Sequence, residues 1–294
     1  MLLSIAIPAY RHEHYIGDTL RSIKNQNLTD YEIILVDDCS PDQTYEVAAR
    51  YAQDYQLPLK RFRNSRNRGI LATISRATAL SSGQYLCMIN SDDVYLDQAL
   101  PVLIQVLESQ PDSAVVYSNG TYLVNDSYQG QILGAAEFKL FEQGVQSVLF
   151  YLWTQTSRLF LQTMMIRNEF FRAIGGFPDN ALAEDWSLNI KIFEGLIKQR
   201  QTCYFLPQHL NFAYRYHAHN TSKNLLPHAL KTVCTIKQFT PRPLRHLGLA
   251  NVYLKRAIIH KNNGDLKYAN RFYTLHQKHK LLYEANPLTT PITL

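Results

Sequence analysis

The sequence predicts an α/β protein built on a parallel, doubly wound sheet, with a helical extension at its carboxyl end. Three observations predict it. Short apolar runs alternate with helical patterns through residues 1–113, and strands separated by helices imply βαβ units. Polar and acidic residues gather just after those runs, where ligands bind in such sheets. The composition, 46% hydrophobic and 18% charged over 294 residues, supports a large buried core.

Taken in order, Leu2–Ile7 reads as a strand, Glu13–Gln26 as a helix and Glu32–Val36 as a continuous buried strand. Pro41–Tyr55 reads as a helix opened by Ser40 as N-cap, with Pro41 at the first helical position. Leu59–Arg63 is a strand, Ile70–Ser81 a helix, Tyr85–Ile89 a strand and Asp97–Ser109 a helix. From Ala114 the pattern changes: Ala114–Tyr117, Thr121–Val124 and Gln131–Leu133 read as short, partly antiparallel strands, with Asn119-Gly120 as a turn. Gln143–Trp153 is expected to be a helix, Phe160–Ile166 a strand, and Asn168–Ile174 a helix broken by Gly175-Gly176. Ala183–Phe193 is helical and Cys203–Tyr216 extended. The tail is helical from Pro227 and ends in a hairpin, Leu247–Asn262 and Leu266–Lys280, with Gly264 as the left-handed stop and Asp265 as the next N-cap. One such tetratricopeptide-like hairpin cannot bury its own faces, so it must pack on the rest of the chain or on a partner.

Formal net charge is +6. From Lys223 onward twelve Lys/Arg stand against Asp265 and Glu284, so the tail is basic and the remainder slightly acidic. A basic, aromatic tail suits an anionic lipid surface, an acidic glycan or a protein partner, and a solvated helical face explains it equally well. Cys39, Cys87, Cys203 and Cys234 form no Cys-x-x-Cys pair, which argues against a zinc site or disulfide framework and for a reducing cytoplasm. Pro8 interrupts the first apolar run, so no leader is expected. No run approaches the ~18 apolar residues of a membrane span. No nucleic-acid partner is expected.

The strand ends carry Pro8-Ala9-Tyr10, Asp37-Asp38, Asn64–Gly69 and Asn90-Ser91-Asp92-Asp93. Adjacent carboxylates with no lysine beside them are costly to keep ionised unless a cation joins them. Mg²⁺ or Mn²⁺ prefers such oxygen ligands and bridges phosphate oxygens. Taken alone, a polar turn with an aspartate as N-cap is the commoner explanation of the last loop. No Gly-x-Ser-x-Gly elbow and no P-loop lysine pattern occurs, which argues against a hydrolase or a kinase.

In their order and spacing these pieces resemble the family 2 glycosyltransferases of the GT-A fold, over roughly residues 3–222. Ser4–Tyr10 is similar to the family's opening strand, and Ile34–Thr44 to its second-strand motif. Asn67-Arg68-Gly69, Arg76 and Gly83-Gln84-Tyr85 are similar to the stretch that leads into its metal loop. That loop usually reads Asp-x-Asp-Asp, and Asn90 stands here in place of the first Asp. Gly175-Gly176-Phe177-Pro178 followed by Glu184-Asp185, and the later Tyr214–Ser222, complete the likeness.

The resemblance implies a nucleotide-binding half, 1–113, an acceptor-binding half, 114–222, and a basic extension, 223–294. It puts Pro8, Ala9 and Tyr10 around the base, with Asp38 on the base edge and Asp37 supporting the loop. Asn67, Gly69, Arg76, Asn90, Ser91 and Arg215 join the nucleotide site. Asp92, Asp93 and His217 are implied as ligands of Mn²⁺ or Mg²⁺, with His219 a rival. Asp185 is implied as the base that removes the acceptor proton, with Glu184 orienting it. The reaction implied is inverting, single-displacement transfer from a nucleotide-sugar, a UDP-sugar above others, to a glycan or lipid-linked glycan in bacterial-type surface polysaccharide synthesis. A cytoplasmic protein, peripheral at the inner face of the plasma membrane or docked on a synthase partner, fits the basic tail. Two alternatives stay open. Asn90 is compatible with a degenerate, nucleotide- or glycan-binding scaffold. A nucleotidyltransferase would require glycines that Ala9-Tyr10-Arg11-His12 lacks.

Overall fold

The structure is a computed structural model that describes residues 1–217, 220 and 225–286. His219 and Ser222, singled out in the sequence, lie outside the described residues.

Four parallel strands form one side of a single mixed sheet: β1 (Leu3–Ala9), β2 (Tyr31–Asp37), β3 (Leu59–Arg63) and β4 (Tyr85–Met88). They alternate with helices α1 (Ile16–Lys24), α2 (Thr44–Asp54) and α3 (Ile70–Ala79). Every residue of β1 is buried, as expected of a strand covered on both faces. Past β4 come the short β5 (Val94–Tyr95), helix α4 (Ala99–Ser109), β6 (Ser113–Val124) and β7 (Ser127–Gln129). Helices α5 (Ala135–Glu142) and α6 (Val145–Thr154) follow, and then β8 (Met164–Arg167), α7 (Asn168–Ala173), α8 (Glu184–Gln199) and β9 (Thr202–Tyr216). Spatially the sheet runs β3-β2-β1-β4-β8-β6-β9-β5, with β7 paired to β6. β8 joins the two halves, antiparallel to both β4 and β6, while β9 is parallel to β6 and antiparallel to β5.

Several boundaries differ from the sequence expectation for physical reasons. Asn119-Gly120 makes no turn; it is an irregularity inside the unbroken strand β6, where the register against β9 shifts. The buried Asn119 replaces the ladder there: its Nδ2 donates to Leu133 O at 3.0 Å and its Oδ1 accepts from Leu133 N at 2.9 Å. Gly120 is required because a Cβ would stand 2.4 Å from the Phe212 ring. Gln131–Leu133 is accordingly a loop held by Asn119, not a strand. Ser40 caps no helix, since α2 begins at Thr44. The Ser40 hydroxyl instead accepts from Arg11 N, and its N–H donates to Asp37 Oδ2. Glu13–Tyr15 precede α1, Gly144 parts α5 from α6, and a 3-10 turn at Leu161–Thr163 precedes β8. Gly175 and Gly176 end α7 with φ of 76° and 56°.

Helices α9 (Leu225–Phe239), α10 (Arg245–Asn262) and α11 (Leu266–Glu284) form the tail. Asp265 accepts from Tyr268 N at 3.3 Å, capping α11, and Gly264 turns the hairpin at φ 77°. The hairpin packs on the rest of the chain through α10. Asn251 Nδ2 donates to Thr154 O at the end of α6, and Gly248 lies so close that a Cβ would be 2.9 Å from Trp153 O. Ile236, Leu249 and Val252 belong to the same apolar cluster as β1 and β2.

At the amino edge of the sheet, opposite the strand ends of interest, Glu32 is 1% exposed. Ser4 Oγ donates to its Oε1 at 2.6 Å, Ser82 donates to the same oxygen through N–H and hydroxyl, and Lys60 Nζ lies 2.7 Å from Oε2. Burial alone would raise this carboxyl, but the donors more than offset it and hold it at about 2, against an ordinary 4.5. A depressed carboxyl stabilises the fold above its unfolded pKa, and that contribution is lost as pH falls through the folded one, here worth roughly 3 kcal/mol. Glu32→Gln is therefore expected to cost ~2 kcal/mol in denaturant unfolding at pH 7, and the gap from the parent should close between pH 4.5 and 2. Parallel pH profiles would rule this account out.

Candidate active site

The carboxyl ends of β1, β4 and β9 converge on a group of three side chains from distant parts of the chain: His12, Asp92 and His217. One ligand atom from each lies within 4.8 Å of the others. His217 Nε2 stands 3.0 Å from Asp92 Oδ2, and His12 Nε2 stands 3.6 Å from the same oxygen. His12 Nδ1 lies 2.7 Å from Ser91 Oγ. When Nδ1 donates its proton to Ser91 Oγ, Nε2 keeps its lone pair toward Asp92, the arrangement a ligating imidazole needs. Tyr15 stacks on the His217 ring at 4.7 Å, fixing its plane. Burial lowers the pKa of His12, against the raising effect of Asp92, so its neutral form is favoured. Burial would raise Asp92, but the His217 hydrogen bond and the two histidine charges bring it below the ordinary range.

Asp93, next in sequence, is placed differently. Its side chain is fully enclosed, Oδ1 accepts from Arg215 N at 2.8 Å, and Oδ2 accepts from Gln162 Nε2 at 2.6 Å. Burial and the neighbouring Asp92 charge push its pKa well up, and donors from Arg215, Gln162 and Asn90 act against that rise. Asp93 thus stands apart from the three convergent ligand atoms and ties the 90–93 loop to β9. Arg215 completes the tie. Its Nε donates to Asp92 O at 2.8 Å, its Nη2 reaches Asp18 Oδ2 at 3.0 Å, and its guanidinium lies over the Tyr15 ring at 5.3 Å.

The other strand-end residues form a second group beside the first. Ala9 pairs with Asp37 across β1 and β2, and Pro8 with Val36. Tyr10, 39% exposed, projects past them. Arg11 and Cys39, just beyond the two strands, adopt φ of 59° and 58°, the strained geometry that recurs at functional loops. Asp37 is buried beside Arg63 Nε at 3.2 Å and holds the Ser40 N–H. Asp38 organises the loop after β3. Its Oδ1 accepts from Asn64 Nδ2 and Arg68 N, and its Oδ2 from Gly69 N, each at 2.8 Å. Gly69 opens α3 at φ 82° with open space around it, so conformation and not crowding requires glycine there. Asn67 accepts from Gly69 N at 3.2 Å, and Arg76 donates to Asn64 Oδ1 at 2.8 Å.

Glu184 and Asp185 occupy the first turn of α8, where carboxylates suit the helix dipole. Asp185 Oδ1 accepts from Trp186 N at 2.7 Å. Burial first, then the Glu184 charge, raises Asp185 to about 7, and the charge of Lys231 on α9 works against the rise.

His12, Tyr15, Asp18 and Gln162 were not singled out by the sequence. His12 stands three positions past β1 in a loop read only for its lack of glycine, and no periodicity marks it. Its nearness to Asp92 follows from the pairing of β1 with β4, which a single sequence does not print.

Comparison with known proteins agrees with this architecture. Residues 4–173 match the family described as Glycosyl transferase family 2. The abequosyltransferase of Salmonella typhimurium is 36% identical over 115 residues, covering 38% of this chain and 34% of that protein. The match spans between 14% and 41% of the length of these curated relatives. Among solved structures, Staphylococcus aureus TarS (residues 1–349) in complex with UDP-GlcNAc is similar at a TM-score of 0.62 and 15% identity, over 96% of this chain and 92% of that one. A mannosyltransferase of Pyrobaculum calidifontis in complex with GDP-Man and Mn²⁺ gives a TM-score of 0.61 at 15% identity, over 96% and 78%. Those two share the fold. The family match covers more than half of the chain, and the chain belongs to glycosyl transferase family 2.

Proposed function

We propose that this protein transfers a sugar, with inversion, from a nucleotide-sugar to a glycan or lipid-linked glycan acceptor in surface polysaccharide synthesis. The observation that carries the proposal is the convergence of His12, Asp92 and His217 at the strand ends of a family 2 fold. The nucleotide-sugars bound in the two structural neighbours support a donor of that class, and the sequence resemblance favours UDP.

The donor set fits a divalent cation: two imidazole nitrogens and one carboxylate oxygen, with Ser91 as outer partner of His12 and Asn220 holding the His217 backbone N–H. Nitrogen donors favour Mn²⁺ over Mg²⁺. A bound cation would neutralise charge on the departing diphosphate. The chain's own groups do the rest. Tyr10, Asp38 and the Asn67–Gly69 turn hold the nucleoside, with Asp37 supporting the loop and Asn90 and Ser91 beside it. Arg215 and Arg76 brace the loops around it. Asp185, its carboxyl raised by burial, accepts the acceptor proton as the hydroxyl attacks, and Glu184 keeps that basicity high. A carboxyl near pH 7 is well matched to that task.

The tail supports a place at an anionic membrane surface. On α11 the exposed Lys267, Arg271 and Lys278 stand beside the exposed Leu266, Tyr273 and Leu281, the pattern of an interfacial helix. No helix among the described residues is long and apolar enough to cross a membrane.

Calorimetry of UDP binding with Mn²⁺ should show a loss of at least ~10-fold in Asp92→Ala and in His12→Ala; equal affinity with and without Mn²⁺ in the parent would remove the metal assignment. Asp185→Asn should bind UDP as the parent does while kcat falls roughly 10²–10⁴-fold. Because only the carboxylate serves as base, kcat should decline as pH drops through about 7, and a flat rate between pH 6 and 8 would exclude Asp185. Sedimentation with anionic vesicles at low salt should be lost on reversing Lys267, Arg271 and Lys278 to glutamate; retained sedimentation would exclude this face of α11, and no sedimentation of the parent would point to a protein partner or a solvated helical face.

A further inference from the structure

Where α9 and α10 meet the chain leaving α6, cations collect without enough anions to balance them. Arg256 on α10 is 5% exposed. Its Nη2 donates to His228 Nδ1 and, at 3.4 Å, to Thr232 Oγ1, both on α9. Its Nε reaches no hydrogen-bond partner among the described residues. Lys255, one residue earlier and exposed, donates to Thr156 Oγ1. Arg158, in the same loop as Thr156 and 48% exposed, pairs with Glu137 at 3.4 Å. Lys231 lies one turn of α9 beyond His228.

Among the described residues no carboxylate comes within 4.0 Å of Lys231, Lys255 or Arg256, and residues 218–224 contain no acid that could do so. Burial first, and then the charges of Arg256, Lys231 and Lys255, lower the His228 pKa to about 4, so it serves as an acceptor for Arg256 and adds no charge. A buried guanidinium with an empty donor and no counter-ion is a costly arrangement for a fold to keep. The cluster also has a definite address. Lys231 is close enough to act electrostatically on Glu184 and Asp185 on one side and on His228 on the other.

We propose that Arg256, Lys255, Lys231 and Arg158 form an acceptor subsite for an oxyanion, a phosphate or a uronate carboxylate carried near the hydroxyl that is glycosylated. The proposal rests on the transferase reading and on Asp185 as its base. The donor's diphosphate is served by the separate group at His12, Asp92 and His217, so this cluster is left for the other substrate. The enclosed Arg256 guanidinium supplies uncompensated positive charge from below, the half-buried Lys231 and the exposed Lys255 and Arg158 supply donors that an oxyanion can reach, and the Thr156 hydroxyl, which accepts from Lys255, keeps its own proton to donate. An anion seated there would also sustain the basicity of Asp185 by offsetting the Lys231 charge.

The test uses the full chain saturated with UDP and Mn²⁺, so that the diphosphate site is filled. Inorganic phosphate and glucuronate are titrated separately and followed by calorimetry. At least one should bind, on the order of millimolar, and Lys231→Gln/Lys255→Gln should weaken it about tenfold while leaving UDP affinity unchanged. The anion that binds identifies the acceptor's charged group. Arg256→Gln should act in the same direction, but Arg256 also ties α9 to α10, so the double lysine variant decides the matter. Binding of neither anion, or unchanged affinity in the double variant, overturns the proposal. Failure of UDP itself to bind would instead sink the transferase reading, and it is read out before either anion is added.

Discussion

The site depends on one buried carboxylate. Asp93 has no access to water, so its oxygens must be met by protein donors. Those donors come from Arg215 on β9 and Gln162 in the turn before β8. Satisfying Asp93 therefore fixes the end of β9 against the loop after β4. Two residues beyond Arg215, just past the end of that strand, His217 arrives beside Asp92. Arg215 reinforces the fit through the Asp92 carbonyl, Asp18 and Tyr15, so one residue sets both the backbone and the plane of the stacking ring.

Adjacent aspartates end in opposite states as a result. Asp92 is held below the ordinary carboxylate range by two histidines, while Asp93 is driven above it by burial and by Asp92 itself. Asn90 makes sense in that setting. Its amide donates to Asp93, whereas a third carboxylate would add repulsion at a point that already holds two. The departure from an all-acidic loop thus has a local physical role, and imidazoles at His12 and His217, the ligands proposed above, suit a site that contains fewer charges.

Much of this was legible in the sequence where signals are local. The alternation of β1 to β4 with helices, the glycine pair ending α7, and the Gly264-Asp265 hairpin all follow from patterns within a few residues. The strand-end acids Asp37, Asp38 and Asp92 could be named for the same reason. What escaped depends on contacts between distant segments. Asn119-Gly120 carries a turn signal, yet bonds from Asn119 to the Leu133 backbone carry β6 through it as one strand with a local irregularity. Ser40-Pro41 carries a helix-start signal, yet Asp37 and Arg11 claim Ser40 first. Asp92 and Asp93 look equivalent in sequence, and only the course of β9 separates the one facing His12 and His217 from the one that anchors the loop. His12 itself has no pattern to reveal it.

The placement of Glu32 has a wider consequence. The buried charge that binds Ser4, Lys60 and Ser82 lies at the amino edge of the sheet, and the loops proposed to handle ligands lie at the carboxyl edge. Cohesion and chemistry are therefore written into opposite rims of the same strands. Changes in the loops beyond Ala9, Asp37 and Met88 leave the Glu32 network untouched, so such a chain can explore new substrates by drift at one rim while the other preserves its ability to fold. Asp93 is the exception, a structural carboxyl group on the exploratory rim, and it marks the point where such drift meets its limit.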